Sequence, residues 1–257
     1  EIRYFDYWLK GKASGVDKDS PVRLFVMGAN KWRDEQEWPP SRATARRLYL
    51  HSDGKANTPA GDGKLVEKPP AAARDTYRYD PHDPVPTLWS PAMFTLPADQ
   101  APLAKRADIL VYQTERLTAP LEVTGYPEVI LHAASSAPDT DFFAKLMDVA
   151  PDGSNRDIAS GMVRARFRDG LDKPKLIKPG EVIELHIKLR PTANEFQSGH
   201  RIRLDITSSD FPNYDRNHNT AADQNADARL EIAEQTMHHG GEHPSRLVLP
   251  VICFANN

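Results

Sequence analysis

Apolar and polar residues alternate with a period of two in several short segments, and this alternation constrains the fold more than any other feature. In residues 183–189, Ile and Leu alternate with Glu, His and Lys, and residues 201–206 repeat the pattern with Arg and Asp in the polar positions. Residues 163–168 alternate apolar residues with arginine. Such segments bury one side and expose the other, as strands of antiparallel sheets do. We therefore expect antiparallel strands with their charged side chains in solvent.

The number of candidate strands indicates an all-β protein. Further candidates, separated mostly by turns rich in Pro, Gly or Asp, are Val22–Val26, residues 47–51, 76–79, 109–114, 121–124 and 128–133, Asp141–Val149 and Arg246–Ile252. So many short strands with few helical stretches predict an antiparallel jelly-roll β-sandwich rather than a parallel α/β sheet. A chain of 257 residues can bury a full core for such a fold.

The start of the chain has a helical period instead. Residues 2–11 place apolar side chains at helical spacing and close on Gly11, a residue suited to a helix C-cap. A helix of about ten residues is marginal alone in water, so this one needs a surface to dock against. Residues 12–21 are small, polar and charged, which is typical of a linker. We predict two units, residues 1–21 and residues 22–257, and one further candidate helix at residues 226–235.

Composition excludes several functional classes. The formal net charge is −3, so there is no basic field to attract nucleic acid or an anionic membrane surface. No apolar run reaches the roughly 18 residues that a transmembrane helix needs. The only cysteine, Cys253, follows a terminal apolar segment and is expected to be buried, so neither a disulfide framework nor a cysteine-based metal cluster is expected.

Catalytic motifs are incomplete in this sequence. No serine lies in the G-x-S-x-G frame of an α/β-hydrolase nucleophile, and Ser160 and Ser198 are expected at ordinary turns. His238, His239 and His243 cluster near the end of the chain and suggest either a metal site or a polar turn before the last strand, and we favour the turn. No motif predicts a cofactor.

A group of aspartates offers a second candidate metal site. Asp139, Asp141, Asp148 and Asp152 supply the oxygen ligands that calcium prefers, but their spacing matches no EF-hand loop. We therefore expect solvated turn carboxylates.

Several ordered motifs resemble one family of enzymes. Residues 26–35 read V-M-G-A-N-K-W-R-D-E, residues 79–87 read Y-D-P-H-D-P-V-P-T, and residues 135–142 read S-S-A-P-D-T-D-F. Residues 199–203 read G-H-R-I-R, and residues 242–250 contain E-H-P-S and L-V-L-P. These strings resemble, in order and over nearly the whole chain, the C-terminal domain of CocE/NonD-type hydrolases, the relatives of cocaine esterase and X-prolyl dipeptidyl-peptidase.

The resemblance implies that this chain works together with other domains of a longer protein. Family members have an N-terminal α/β-hydrolase domain with a Ser-His-Asp triad, a helical cap and a C-terminal, galactose-binding-like jelly roll. Residues 1–21 would then be the end of the hydrolase domain, and the triad would precede this chain. The implied role is a non-catalytic domain that covers the hydrolase core and shapes the acyl pocket. Trp89, Met93 and Phe94 are the implied substrate-wall residues.

The implied partners are the α/β-hydrolase domain of the same protein and a small ester or peptide substrate, without nucleic acid or membrane. Homo-oligomerisation stays open. A cytoplasmic location is favoured, with a periplasmic or secreted one open. Two other functions remain open: a stand-alone carbohydrate-binding module that uses loop aromatics such as Trp89, and a metal-dependent hydrolase built on His238, His239 and His243.

Overall fold

The computed structural model describes residues 1–88 and 99–253. Helix α1 spans Ile2–Lys10, and short 3₁₀ segments span Val16–Lys18, Ala101–Lys105 and Ala165–Phe167. The strands are β1 Val22–Val26, β2 Lys31–Glu35, β3 Ala43–His51, β4 Lys64–Val66, β5 Ala73–Tyr79, β6 Leu110–Gln113, β7 Leu121–Gly125, β8 Glu128–Ser135, β9 Asp141–Val149, β10 Asn155–Arg164, β11 Ile183–Lys188, β12 Thr192–Phe196, β13 Arg201–Thr207, β14 Ala233–His239 and β15 Arg246–Ile252.

The strands form an antiparallel jelly-roll β-sandwich, which confirms the predicted fold class. Strands β1 and β2 make a separate hairpin, and the others join in the order β10-β9-β13-β6-β4-β3-β15-β8-β14-β5. Strand β11 pairs with β8, and β7 links β15 to β12. Strands β4 and β6 pair in parallel, and isolated parallel bridges join Met27 to Asn194 and Pro86 to Phe211. The sheet folds over one continuous apolar core to which both ends of this order contribute, with Leu146 on β9 and Met237 on β14 among its members.

The sandwich has a second buried layer that alternation alone did not predict. On β13, Arg203 and Asp205 were expected in solvent, but both are buried and form an ion pair of 2.6 Å between Nε and Oδ1. A small apolar cluster of Val85, Leu103, Ile109 and Val111 lies outside the main core. Val111 on β6 is the register partner of Asp205, so the two lie side by side in the sheet. Both faces of this part of the sheet are therefore covered.

Helix α1 confirms the predicted N-terminal helix. Gly11 caps it in the left-handed conformation (φ 62°), and its N–H donates to the carbonyl of Tyr7 at 3.1 Å. No helix among the described residues is both long enough and apolar enough to cross a membrane.

Several local predictions were wrong. Ser160, expected at a turn, lies within strand β10. Strand β10 ends at Arg164, and Ala165–Phe167 is a 3₁₀ turn because the Arg166 side chain folds back onto Asp139. Residues 226–232 form no helix; the backbone of Glu231 instead exchanges hydrogen bonds with the 218–219 loop, and β14 follows. Cys253 is exposed, because β15 and its pairing end one residue earlier.

Candidate functional site

Helix α1 carries an apolar surface that stays exposed among residues 1–88 and 99–253. None of its nine residues is buried, and Tyr4, Phe5, Trp8 and Leu9 are all exposed. The helix is tied to the linker at Arg3, whose guanidinium reaches the carbonyl of Ser14 at 3.1 Å and the carboxylate of Asp19 at 3.2 Å. Large exposed apolar patches of this kind mark protein interaction surfaces.

The β1–β2 hairpin presents a second apolar patch. Phe25 and Trp32 face each other across the two strands, with ring centroids 5.4 Å apart in an edge-to-face arrangement. The guanidinium of Arg23 lies 5.6 Å from the Trp32 ring, and Met27 extends the patch at the turn. Trp32 is 63% exposed, so most of the ring faces solvent in this chain. We call α1 and this hairpin together the N-terminal apolar surface.

A buried ion-pair network holds the hairpin against the sandwich. Arg33 donates two hydrogen bonds of 2.6 Å to Glu122 on β7, and its Nε lies 2.7 Å from Glu35. Arg42 also binds Glu35 through its two terminal guanidinium nitrogens, Nη1 and Nη2. The hydrogen bonds from Arg42 are the main cause that holds the pKa of Glu35 below its ordinary value, against the opposing effect of burial. The W-R-x-E motif therefore combines an exposed tryptophan with two anchoring charges.

The hairpin turn also makes close backbone contact with β12. The N–H of Met27 donates to the carbonyl of Ala193 at 2.9 Å, and the N–H of Glu195 donates to the carbonyl of Met27 at 2.8 Å. Gly28 has a φ of 77°, and a Cβ there would lie 2.0 Å from the Glu195 carbonyl oxygen. Only glycine fits this approach without displacement, which explains the glycine of the V-M-G motif.

The predicted substrate-wall residues Trp89, Met93 and Phe94 lie outside the described residues. The flanking residues are firmly attached. Thr87 donates its hydroxyl to the carbonyl of Asp210 at 2.9 Å, and Asp210 pairs with buried Lys145 at 2.7 Å. After the segment, Asp99 accepts a 2.9 Å hydrogen bond from the N–H of Asn155 on β10. The D-P-V-P-T motif therefore leads onto the sheet formed by β9, β10 and β13.

Ser, His and Asp side chains do meet inside the sandwich, but not as a catalytic triad. Asp75 accepts from the hydroxyls of Ser52 at 2.6 Å and Tyr112 at 2.8 Å, and the Nε2 of His239 lies 3.0 Å away. The same Nε2 faces Ser52 at 3.3 Å, whereas a triad uses Nδ1 for the aspartate and Nε2 for the serine. Burial raises the pKa of Asp75, but these hydrogen bonds outweigh it and lower the pKa overall. The cluster is buried and joins β5, β6 and β14.

The three C-terminal histidines do not converge. His239 points into the Asp75 cluster, whereas His238 and His243 contact each other with ring centroids 5.5 Å apart. His132 on β8 lies 5.4 Å from His243 and completes this second group. Among residues 1–88 and 99–253, no group of three or more His, Cys, Asp or Glu side chains is placed to hold a metal ion. His238 and His239 were also expected in a polar turn, but they are the last two residues of strand β14 and His239 is buried, which corrects that prediction.

Asp139 and Asp141 are buried rather than solvated. Arg166 binds Asp139 at 2.7 Å, and Arg164 binds both oxygens of Asp141 at 2.8 and 2.9 Å. Asn217 bridges the two carboxylates at 2.9 and 2.8 Å. Burial raises the pKa of Asp141 above its ordinary value despite the Arg164 hydrogen bonds. The S-S-A-P-D-T-D-F motif thus supplies two buried carboxylates to a structural charge cluster.

Comparison with known proteins agrees with these motifs. Residues 14–248 match the family described as the X-Pro dipeptidyl-peptidase C-terminal non-catalytic domain. The chain is 44% identical over 259 residues to cocaine esterase of Rhodococcus sp. (strain MB1 Bresler), covering 97% of this chain and 45% of that protein.

Two solved structures share the fold over almost the whole chain. An aminopeptidase from the marine sediment archaeon Thaumarchaeota archaeon superposes with a TM-score of 0.83 at 31% identity, covering 98% of this chain and 43% of the other. An α-amino acid ester hydrolase gives 0.81 at 30% identity, covering 97% and 44%. The chain therefore spans less than half the length of these relatives. It belongs to the X-Pro dipeptidyl-peptidase C-terminal non-catalytic domain family of CocE/NonD-type hydrolases.

Proposed function

We propose that this domain docks through its N-terminal apolar surface onto the α/β-hydrolase domain of the same protein, a serine hydrolase of esters or amides. The observation that carries the proposal is the exposure of aromatic side chains on both α1 and the hairpin, with Trp8 64% and Trp32 63% exposed. Burying them against a partner removes a large apolar area from water and favours association. The named relatives, of which this chain covers less than half, support the presence of such a partner.

The chemical step is assigned to the partner domain. The Ser52, Asp75 and His239 cluster has the wrong hydrogen-bond geometry and is buried. A Ser-His-Asp triad in the hydrolase domain would attack the ester or amide carbonyl, and this domain would exclude water from one side. The chain alone should neither hydrolyse an activated ester nor react at serine with a fluorophosphonate probe. Labelling of any of its serines would overturn this assignment.

We also propose that the segment after Val85 forms part of the pocket for the acyl group. Anchoring at Thr87 and Asp99 supports this role, because attached ends limit where the segment between them can reach. Trp89, Met93 and Phe94 would supply the apolar wall that such a pocket needs. The carbohydrate-binding alternative depends on the same Trp89, and no described contact favours it.

The docking proposal is tested by mixing this chain with the separately produced hydrolase part of its parent protein. Trp32→Asp should weaken their association by more than about tenfold, because a central tryptophan carries much of an interface's binding energy. Leu171→Asp is the matched control, since Leu171 is 85% exposed but lies on the loop after β10. Equal affinities for both variants would contradict docking through the hairpin.

The acyl-pocket proposal needs the assembled enzyme. Trp89→Ala or Phe94→Ala should lower kcat/KM for an aryl-acyl ester more than for an acetyl ester of the same alcohol, because the lost wall contacts only the larger group. Leu171→Ala should leave the ratio of the two kcat/KM values unchanged. If the ratio of the two kcat/KM values is unchanged in both pocket variants, Trp89 and Phe94 do not line the acyl pocket.

A further inference from the structure

A cavity of about 620 Å³ opens between the hairpin turn and strand β10. Its size falls in the range of small-molecule sites. The residues that matter for recognition are Met27, Asp157, Ser160, Arg190, Asn194 and His200. The residues that line it all belong to this chain, and the hairpin turn contributes Met27 both to the cavity and to the N-terminal apolar surface.

Asn194 places an unused hydrogen-bond donor in this cavity. The residue is 2% exposed, and its backbone forms a bridge with Met27 beneath the hairpin turn. Its side-chain Nδ2 has no hydrogen-bond partner among the described residues. A buried N–H without a partner is unfavourable, and such groups call for a ligand or an ordered water. The side-chain amide of Asn194 can therefore donate a hydrogen bond to an oxygen atom of a ligand in this cavity.

Asp157 supplies an unused acceptor on the opposite strand. It lies at a β-bulge of β10, where the register with β9 shifts between Asp157 and Ala159, and bulges redirect side chains next to binding sites. Its Oδ1 is buried without a hydrogen-bond partner among the described residues. Burial is the main cause that raises its pKa to about 6, so the group is mostly ionised at neutral pH. The charged side chains that also shift this pKa through their electrostatic effect are Lys145, Arg190, Asp205 and Asp210.

Two arginines, Arg156 and Arg190, add positive charge to the lining of the cavity. The charge of Arg190 favours the ionised form of Asp157, and the charge of Arg156 favours the ionised form of Asp148. Asp148 also binds Nδ1 of His200 at 2.8 Å. Neither guanidinium forms an ion pair within the described part of the chain, so both can bind a ligand. The apolar wall is aliphatic, and the described lining residues include no Phe, Tyr or Trp, which disfavours stacking on a sugar ring.

We propose that this cavity binds a zwitterionic α-amino acid with an aliphatic side chain. The ammonium group would pair with Asp157, and the carboxylate would accept from Asn194 Nδ2 and the guanidinium of Arg190. The side chain would lie against Met27, Ile158 and Ala159. This arrangement satisfies both the unused donor and the unused acceptor, whereas a simple anion or cation would satisfy one of them.

The probe is L-leucine, titrated into the 257-residue chain and followed by amide chemical shifts. Saturable shifts should cluster at residues 157–160 and 190–194. N-acetyl-leucine, which lacks the ammonium, and leucinamide, which lacks the carboxylate, should each bind at least about tenfold more weakly. Absence of saturable shifts with leucine, or saturable binding of galactose instead, would overturn the proposal.

Substitutions locate the site. Arg190→Gln should weaken leucine binding at least about tenfold, and because Arg190 is exposed the variant should fold normally. Asp157→Asn should have a similar effect on leucine but leave the weak binding of N-acetyl-leucine unchanged. Asp152→Asn is the control, since Asp152 lies on the exposed turn before β10 and outside the cavity. Equal leucine affinity in the wild type and Arg190→Gln would contradict the assignment.

Discussion

Helix α1 and the β1–β2 hairpin expose similar aromatic side chains but are attached to the sandwich in different ways. The helix is held at Arg3 by polar contacts with an exposed linker. The hairpin is held by Arg33 and Glu122, and by backbone bonds between Met27 and β12. Exposed ion pairs contribute little to stability, whereas a buried pair is costly to break. In the proposed docking, the hairpin would therefore present a preformed surface, whereas α1 would be fixed only by the partner domain.

The two largest effects should come from Glu122→Ala and Gly28→Ala. Glu122 is buried on β7 and accepts two hydrogen bonds from Arg33 and one from Thr124. Removing one partner of a buried pair costs about 3–5 kcal/mol, and since Arg33 keeps Glu35 we expect about 3 kcal/mol in the free energy of unfolding. Urea denaturation measures this value. A loss below about 1 kcal/mol, typical of a surface pair, would show that the network does not hold the hairpin.

Two glycines with left-handed backbones provide a matched comparison. Gly28→Ala would force a Cβ against the Glu195 carbonyl, whereas Gly11, with a φ of 62°, has no atom within 4 Å of its Cβ position. Alanine in this conformation costs about 1–2 kcal/mol at either site, and the clash at Gly28 adds the loss of hydrogen bonds to β12. We expect Gly28→Ala to lower the free energy of unfolding by about 3 kcal/mol and Gly11→Ala to fray only α1. Equal losses by denaturation would contradict the close approach of the hairpin.

The hairpin should also weaken in acid. The pKa of Glu35 lies below its ordinary value of 4.5, chiefly through the Arg42 hydrogen bonds. A lowered folded-state pKa stabilises the protein above pH 4.5, and this contribution is lost as the pH falls through the folded-state value. The free energy of unfolding of the wild type should exceed that of Glu35→Gln by about 1–2 kcal/mol at pH 7, and this difference should shrink toward pH 3. A difference that is constant with pH would mean that the charge of Glu35 does not contribute.

The smallest effect should come from Lys10→Ala in α1. Lys10 forms an exposed pair with Asp6 one helical turn earlier, at 2.7 Å. Such pairs contribute about 0.2–0.5 kcal/mol, and in a loosely attached helix the loss should not change the global unfolding transition. A loss above about 1 kcal/mol in urea would mean that α1 unfolds together with the sandwich.

The strands were predictable where periodicity and turns agreed. Asp141–Val149 and Arg246–Ile252 occur with the predicted bounds, and Gly11 ends α1 as expected. Strand β14 was missed because the local Ala, Asp and Glu content favours a helix, whereas its pairing with the distant strands β5 and β8 decides the outcome. Local propensity does not contain that information.

Buried charges were the least predictable part of the molecule. Asp139 and Asp141 were expected in solvent because their partners Arg164, Arg166 and Asn217 lie far along the chain. A lone sequence shows the charges but not the pairing. Both aspartates lie in the S-S-A-P-D-T-D-F motif, so the motif marked the position of this cluster but not the partners of the two carboxylates. Trp32 and the anchoring Arg33 likewise lie in one motif, although the residues alone did not separate their roles.

Residue-resolved amide hydrogen exchange, in the chain alone and in its complex with the hydrolase part of the parent protein, tests docking through the N-terminal apolar surface most directly. We expect fast exchange of α1 amides in the chain alone and slow exchange in the complex, with the β1–β2 amides protected in both. Protection of α1 in the chain alone, or no change at α1 when the complex forms, would contradict docking through this surface.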